Sequence, residues 1–177
     1  MSENAVPKSS DETSRSGASC TSGNCLLRRR WGFLVWAGLL LAILLVQWPM
    51  VKGWYYKASG SPAPSSSIAW RASYDAALAE AAQVGKPLLL DFSASWCPPC
   101  QVMKHEVWPD KEVGDAINAS YVPVLVDVDD PANAAVAQRY GIRAIPTIIV
   151  ADAKGNVLRQ DNFMTKSGIL KFLSPSH

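Results

Sequence analysis

The chain has 177 residues, with 17 Lys and Arg against 15 Asp and Glu, a formal net charge of +2 at pH 7 and 49% hydrophobic residues. That length allows one domain of ordinary size with appendages. The basic excess lies in residues 1–57, whereas residues 68–177 carry ten Lys and Arg against twelve Asp and Glu, so the folded part offers no basic face for nucleic acid.

Residues 1–30 are rich in Ser, Thr, Asn, Gly and charge and lack the material for a core, which predicts a disordered tail. Residues 31–51 contain no charged side chain. At a rise of about 1.5 Å per residue, a helix of that length reaches roughly 30 Å, the thickness of a bilayer core. Trp31, Trp36, Trp48, Trp54, Tyr55 and Tyr56 lie at or near its ends, as interfacial aromatics do. Arg28, Arg29 and Arg30 precede the run, and only Lys52 and Lys57 follow closely, which places residues 1–30 in the cytoplasm and the globular part outside it. A cleaved signal peptide is the competing reading, but its apolar region would be about 7–15 residues and end in a small-residue site. Residues 52–67 contain Gly60, Pro62, Pro64 and Ser65-Ser66-Ser67, a linker expected to let the domain stand off the bilayer.

Residues 68–177 alternate apolar runs with turn signals. Ser73 caps a helix over 74–82 that Gly85 ends. Residues 88–92 follow Pro87 as a buried strand. Cys97 opens a helix that stops near Trp108-Pro109, and Asp110 caps another over 111–118. Residues 121–128 form a second central strand. Asp130-Pro131 begins a helix ending near Tyr140-Gly141. Residues 147–150 and 157–160 form a hairpin about the turn 152–155, and Thr165 caps a last helix through Phe172. The order α-β-α-α-β-α-β-β-α implies an α/β sheet covered on both faces.

The motif that carries chemistry is Trp96-Cys97-Pro98-Pro99-Cys100. Two thiols at this spacing can close a disulfide and release it. A free Cys has a pKa of about 8.5, and a helix N-terminus lowers it to roughly 3.5–7.5 by offering free N–H groups and the positive dipole end. Cys97 would attack a substrate disulfide and Cys100 would resolve the mixed disulfide. On this reading Cys97 is exposed and Cys100 more buried. Pro98 and Pro99 stiffen the turn and remove two N–H donors. A structural zinc site would need four ligands, but Cys20 and Cys25 fall across the membrane and His105 and His177 are the only histidines, so no metal is expected. Trp96 offers an apolar docking surface beside the dithiol. His105 reads as a solvated helix position, Asp127, Asp129 and Asp130 as a strand end and helix cap, and Cys20 with Cys25 as an inert reduced pair.

Asp91-Phe92, Trp96-Cys97-Pro98-Pro99-Cys100 and Gly141-Ile142-Arg143-Ala144-Ile145-Pro146-Thr147 together resemble a thioredoxin-fold domain spanning about residues 68–173. Met103, Glu106 and the stretch 108–113 are more similar to the C-terminal domain of the membrane thiol:disulfide interchange reductases. The resemblance implies a central mixed sheet with helices on both faces, here preceded by one N-terminal transmembrane helix. It implies a cis bond before Pro146, with the Ile145 backbone free to pair with an extended substrate. It implies that Asp91 is a buried carboxylate beneath the dithiol, able to take a proton from Cys100. Leu125 stands where the family often has a lysine, and Phe163 where a glycine is common, which narrows the substrate groove.

The expected function is a thiol:disulfide oxidoreductase in a bacterial inner membrane, its catalytic domain periplasmic, with the redox-active disulfide as its only redox group and no cofactor. The reductive direction follows from the resemblance and from the lack of His between the cysteines. Its partners would be exported disulfide-containing proteins, apocytochromes among them, and a membrane thiol electron donor. The alternatives are a disulfide oxidase or isomerase, and a client-binding module without turnover.

Overall fold

The computed structural model describes residues 24–174, with side chains from Leu34 onward. The expected tail up to residue 23, Cys20 included, and the side chains of Cys25, Arg28, Arg29, Arg30 and Trp31 lie outside the described residues. The chain divides into two compact units between Leu44 and Leu45. In the first, α1 (Asn24–Val46) exposes every described side chain it carries. Among the described residues no single helix is long and apolar enough to cross a membrane; residues 34–46 and 48–59 meet that test only as a pair broken at Gln47.

The second unit opens with α2 (Trp48–Ser59), then α3 (Tyr74–Val84), β1 (Leu88–Ser93), α4 (Pro98–Glu106), α5 (Lys111–Ser120), β2 (Val122–Asp127), α6 (Ala134–Arg139), β3 (Thr147–Ala151), β4 (Val157–Asp161) and α7 (Lys166–Leu173). The sheet order is β2-β1-β3-β4. β1 pairs with β2 in parallel and with β3 antiparallel, and β4 closes the hairpin against β3. This is a mixed sheet with the expected α/β layering.

Because strand side chains alternate between faces, β1 divides its residues between two cores. Leu88, Leu90 and Phe92 join Tyr74, Ala77 and Ala81 of α3 and Val122, Val124 and Val126 of β2. Leu89 points the other way, into Met103, Trp108, Ile117, Ile169 and Leu173. Asp91 shares the Leu89 face by the same alternation, which sets a carboxyl on the α4 side of the sheet. Each fully buried leucine contributes about 1.5–3 kcal/mol, so both faces hold β1 in register.

Local signals place the helix starts. The Ser73, Asp110 and Thr165 side chains each accept a backbone N–H in the first turn of the helix that follows, worth about 0.5–2 kcal/mol apiece. Asp130 accepts the Ala132 N–H at 2.9 Å, but the segment opens as a 3-10 turn, Pro131–Asn133, before α6 begins. At the outer side of β2, the Arg71 N–H donates to the Pro123 carbonyl at 2.9 Å and the Leu125 N–H donates to the Arg71 carbonyl at 3.0 Å. At the opposite side, β4 presents largely exposed residues.

The segment 52–67 differs from its reading as linker. Residues 52–59 belong to α2, and Gly53 is buried against α4. A Cβ at position 53 would lie 1.9 Å from the Pro98 carbonyl oxygen. Glycine, a helix breaker on propensity, is here the residue that lets two backbones touch. Lys52 Nζ reaches both Glu106 carboxylate oxygens, at 2.9 and 3.1 Å, and the Tyr56 hydroxyl donates to Glu106 at 2.8 Å.

Candidate functional site

β1 delivers the chain into the turn before α4, and Cys97 is the N-cap of that helix. Pro98 occupies the first helical position, where no N–H is required and the fixed φ suits the helix. Cys97 and Cys100 form a disulfide, with their Cα atoms 5.3 Å apart. The Cys100 N–H donates to Cys97 Sγ at 3.2 Å, so the one backbone donor that the prolines leave free points at the sulfur. Gln101 braces the preceding loop by donating to the Ser95 carbonyl at 3.0 Å.

Both sulfurs are covered. Cys97 is 2% exposed and Cys100 3%, packed with Ala94, Val128 and Ile145. The expectation of an exposed Cys97 is therefore corrected. In the disulfide its sulfur turns toward Cys100 and the loop packed on it, and the adjoining Pro98 backbone lies against Gly53. Trp96 is the exposed residue of the motif, at 53%, and its indole N–H donates to Asp129 Oδ1 at 3.1 Å.

The loop before β3 completes the site. The Ile145–Pro146 peptide is cis, Pro146 is buried, and the Ile145 side chain packs on the dithiol cluster. Among the described residues no backbone group pairs with the main chain of Ile145. The Thr147 hydroxyl donates to the Ala144 carbonyl at 2.7 Å and holds the turn.

Asp91 is buried, and loss of hydration raises its pKa to about 7, against a hydrogen bond from Trp108 that works in the opposite direction. It lines a cavity of about 340 Å³ together with Ala94, Gln101, Lys104, Trp108 and Leu125. A carboxyl there is poised to exchange a proton near neutrality.

A family model described as a thioredoxin-like domain matches residues 74–174. The chain belongs to the thioredoxin-like family. A thiol:disulfide interchange protein DsbD from Yersinia enterocolitica is 34% identical over 150 residues, covering 76% of this chain and 25% of that protein. DsbD 1 of Pseudomonas aeruginosa is 38% identical over 93 residues, 49% of this chain and 16% of the relative. The chain thus spans a quarter or less of these curated relatives. The solution structure of a thioredoxin from Thermus thermophilus superposes with a TM-score of 0.55 at 29% identity, over 60% of this chain and 85% of that one.

Within this thioredoxin-like domain, Cys97, Cys100 and Ile145 share one packed cluster, with Trp96, Pro98, Pro99 and Pro146 next to them in the chain and Asp91 on the strand that leads into α4. Leu125 lines the Asp91 cavity, so an alkyl chain stands where the resemblance sets a lysine. Phe163 packs half-buried against the core formed by β1, β3 and α7. His105 departs from a solvated position: the Tyr56 ring stacks on it at 4.2 Å between centroids and 4° between planes. Asp127 accepts the Asp129 N–H at 3.0 Å. Trp108, which lines the same cavity, is the neighbour of Asp91 that sequence reading did not single out. Its place before Pro109 signalled a helix stop and the stretch 108–113 a family likeness, but nothing local placed its indole beside Asp91.

Proposed function

We propose that this protein is a membrane-anchored thiol:disulfide oxidoreductase that reduces disulfides of exported proteins. The observation that carries the reading is the Cys97–Cys100 pair at the start of α4, with a backbone N–H already aimed at Cys97 Sγ. In the reduced protein that N–H and the helix terminus favour the Cys97 thiolate. The thiolate attacks one sulfur of a client disulfide. A Cys97–client bond forms, the client S–S bond breaks, and the departing client thiolate takes a proton from water. Cys100 then loses its proton to the Asp91 carboxylate and attacks Cys97 Sγ, which expels the second client thiolate. Two electrons pass to the client and the Cys97–Cys100 disulfide is left. Asp91, with a pKa of about 7, returns its proton through the cavity it lines.

Turnover then requires a dithiol donor. A membrane thiol carrier fits, since the domain follows an apolar segment whose side chains from Leu34 to Trp48 are all exposed, as lipid contact requires. The names of the DsbD relatives support interchange chemistry. On the positive-inside argument the N-terminus is cytoplasmic and the catalytic domain periplasmic.

The burial of both sulfurs favours a second reading, a module that holds clients beside Pro146 without turnover. Cys97→Ser separates the two in the full chain. An oxidoreductase loses all reduction of a disulfide client, and Cys100→Ala accumulates a mixed disulfide visible on a non-reducing gel. Unchanged cellular function in Cys97→Ser would favour the binding module.

A further inference from the structure

The residues of α2 are arranged inside out. Pro49, Lys52, Gly53 and Tyr56, at helical spacings of three and four, form the covered face, and they include the lysine paired with Glu106. The opposite arc carries Trp48, Met50, Val51, Trp54 and Tyr55, all at least half exposed, with Trp54 at 68% and Tyr55 at 66%. No charge interrupts that arc. Lys57 borders it on one side, as basic residues flank the apolar face of a helix lying in a bilayer surface; Lys52, on the other side, is bonded to Glu106.

From this arrangement we infer that α2 lies in the interfacial layer of the membrane, its aromatic face in lipid, and holds the active-site helix at the bilayer surface. The inference rests on the anchored reading above and adds what the anchor does. Three observations select a lipid surface as the occupant. The arc is Trp- and Tyr-rich, and these residues favour the headgroup boundary. It overlaps the end of the uncharged run 31–51, which supplies Trp48, Met50 and Val51. No acidic residue occurs between Glu12 and Asp75, so nothing in the segment repels an anionic headgroup. Since Gly53 touches Pro98, the residue after Cys97, the dithiol is brought to thiols presented at the membrane surface. The kind of partner this fits is a membrane-embedded dithiol carrier, or a client still emerging from the membrane.

The test uses the full chain with Cys20→Ser and Cys25→Ser, the active-site disulfide intact, in vesicles of phosphatidylcholine and phosphatidylglycerol. A nitroxide is placed on Tyr55→Cys, on Trp54→Cys in a second protein, and on Val157→Cys, in exposed β4, as the aqueous reference. The inference expects both α2 labels to collide with oxygen and to be shielded from an aqueous nickel chelate, with the Val157 label showing the reverse. Alkaline carbonate extraction is run in parallel. Protein that stays with the vesicles while its α2 labels match the Val157 label overturns the inference and leaves the anchor standing. Protein stripped by carbonate overturns both. Dipolar broadening between α2 labels at high lipid dilution would assign the face to a second copy and also overturn the inference.

Discussion

Asp91 illustrates how one side chain links burial to chemistry. Its unfolded pKa is about 3.9 and its native value about 7, so the native state holds the extra proton between those values. Its contribution to stability is complete below about pH 4, declines as pH rises toward 7, and is lost above. The cost at alkaline pH is on the order of 4 kcal/mol for a shift of about three units. Asp91→Asn should therefore flatten the pH dependence of the urea midpoint between pH 4 and 8, and raise the midpoint at pH 8. The same variant should slow resolution of the mixed disulfide, read by stopped-flow with a disulfide peptide. Trp108→Phe keeps an aromatic ring but is smaller and lacks the indole N–H that lowers the Asp91 pKa. It should move the Asp91 titration further up, detected by NMR, at a stability cost of roughly 1–3 kcal/mol from the space left in the core. Asp91 was legible because its distance from Cys97 follows a known pattern. Trp108 was not, because its contact is made across the fold and leaves no spacing to read.

At the scale of elements, α2 and α4 form a joint made of small forces around one steric requirement. The Lys52–Glu106 pair is over a third exposed and is worth about 0–1 kcal/mol, whereas the Gly53 contact admits no side chain. Gly53→Leu should undock α2 while leaving α3 to α7 folded. Iodoacetamide should then alkylate Cys97 of the reduced variant faster than that of the wild type. Burial and the neighbouring Lys104 lower the His105 pKa. Burial pushes Glu106 up, but its bonds to Lys52 and Tyr56 outweigh that and hold it below its usual value. Both native values lie below the unfolded ones, so the contribution of these two groups to docking is complete above about pH 6.5 and weakens as pH falls. A fluorophore on α2 should report that loosening on acidification. The strands, the capped helices and the motif were readable from apolar runs and local caps. The docked α2 was not, because a glycine among aromatics reads locally as a break, and only the partner backbone at Pro98 shows its purpose.

For the molecule as a whole, the thioredoxin-like layering came through because both faces of β1 are filled and the alternation leaves little choice of register. The separation of the chain into anchor, spacer and domain was less legible. Composition marks residues 45–59 as apolar or turn-like, yet they belong to the compact unit that carries the dithiol. In membranes, Cys100→Ala should trap clients on Cys97 of the full chain, and adding Gly53→Leu should change which clients are trapped, as identified by mass spectrometry of the trapped conjugates.

The margins of the sheet have a consequence of their own. Arg71 stitches the middle of one outer strand shut, and the other outer strand is short and carries Arg159 and Asp161. Neither rim is an inviting template for a stray polypeptide. On the proposed function, an incoming client segment is therefore met at the main chain of Ile145, unpaired among the described residues and beside the sulfurs, where pairing leads to the chemistry rather than to an aggregate.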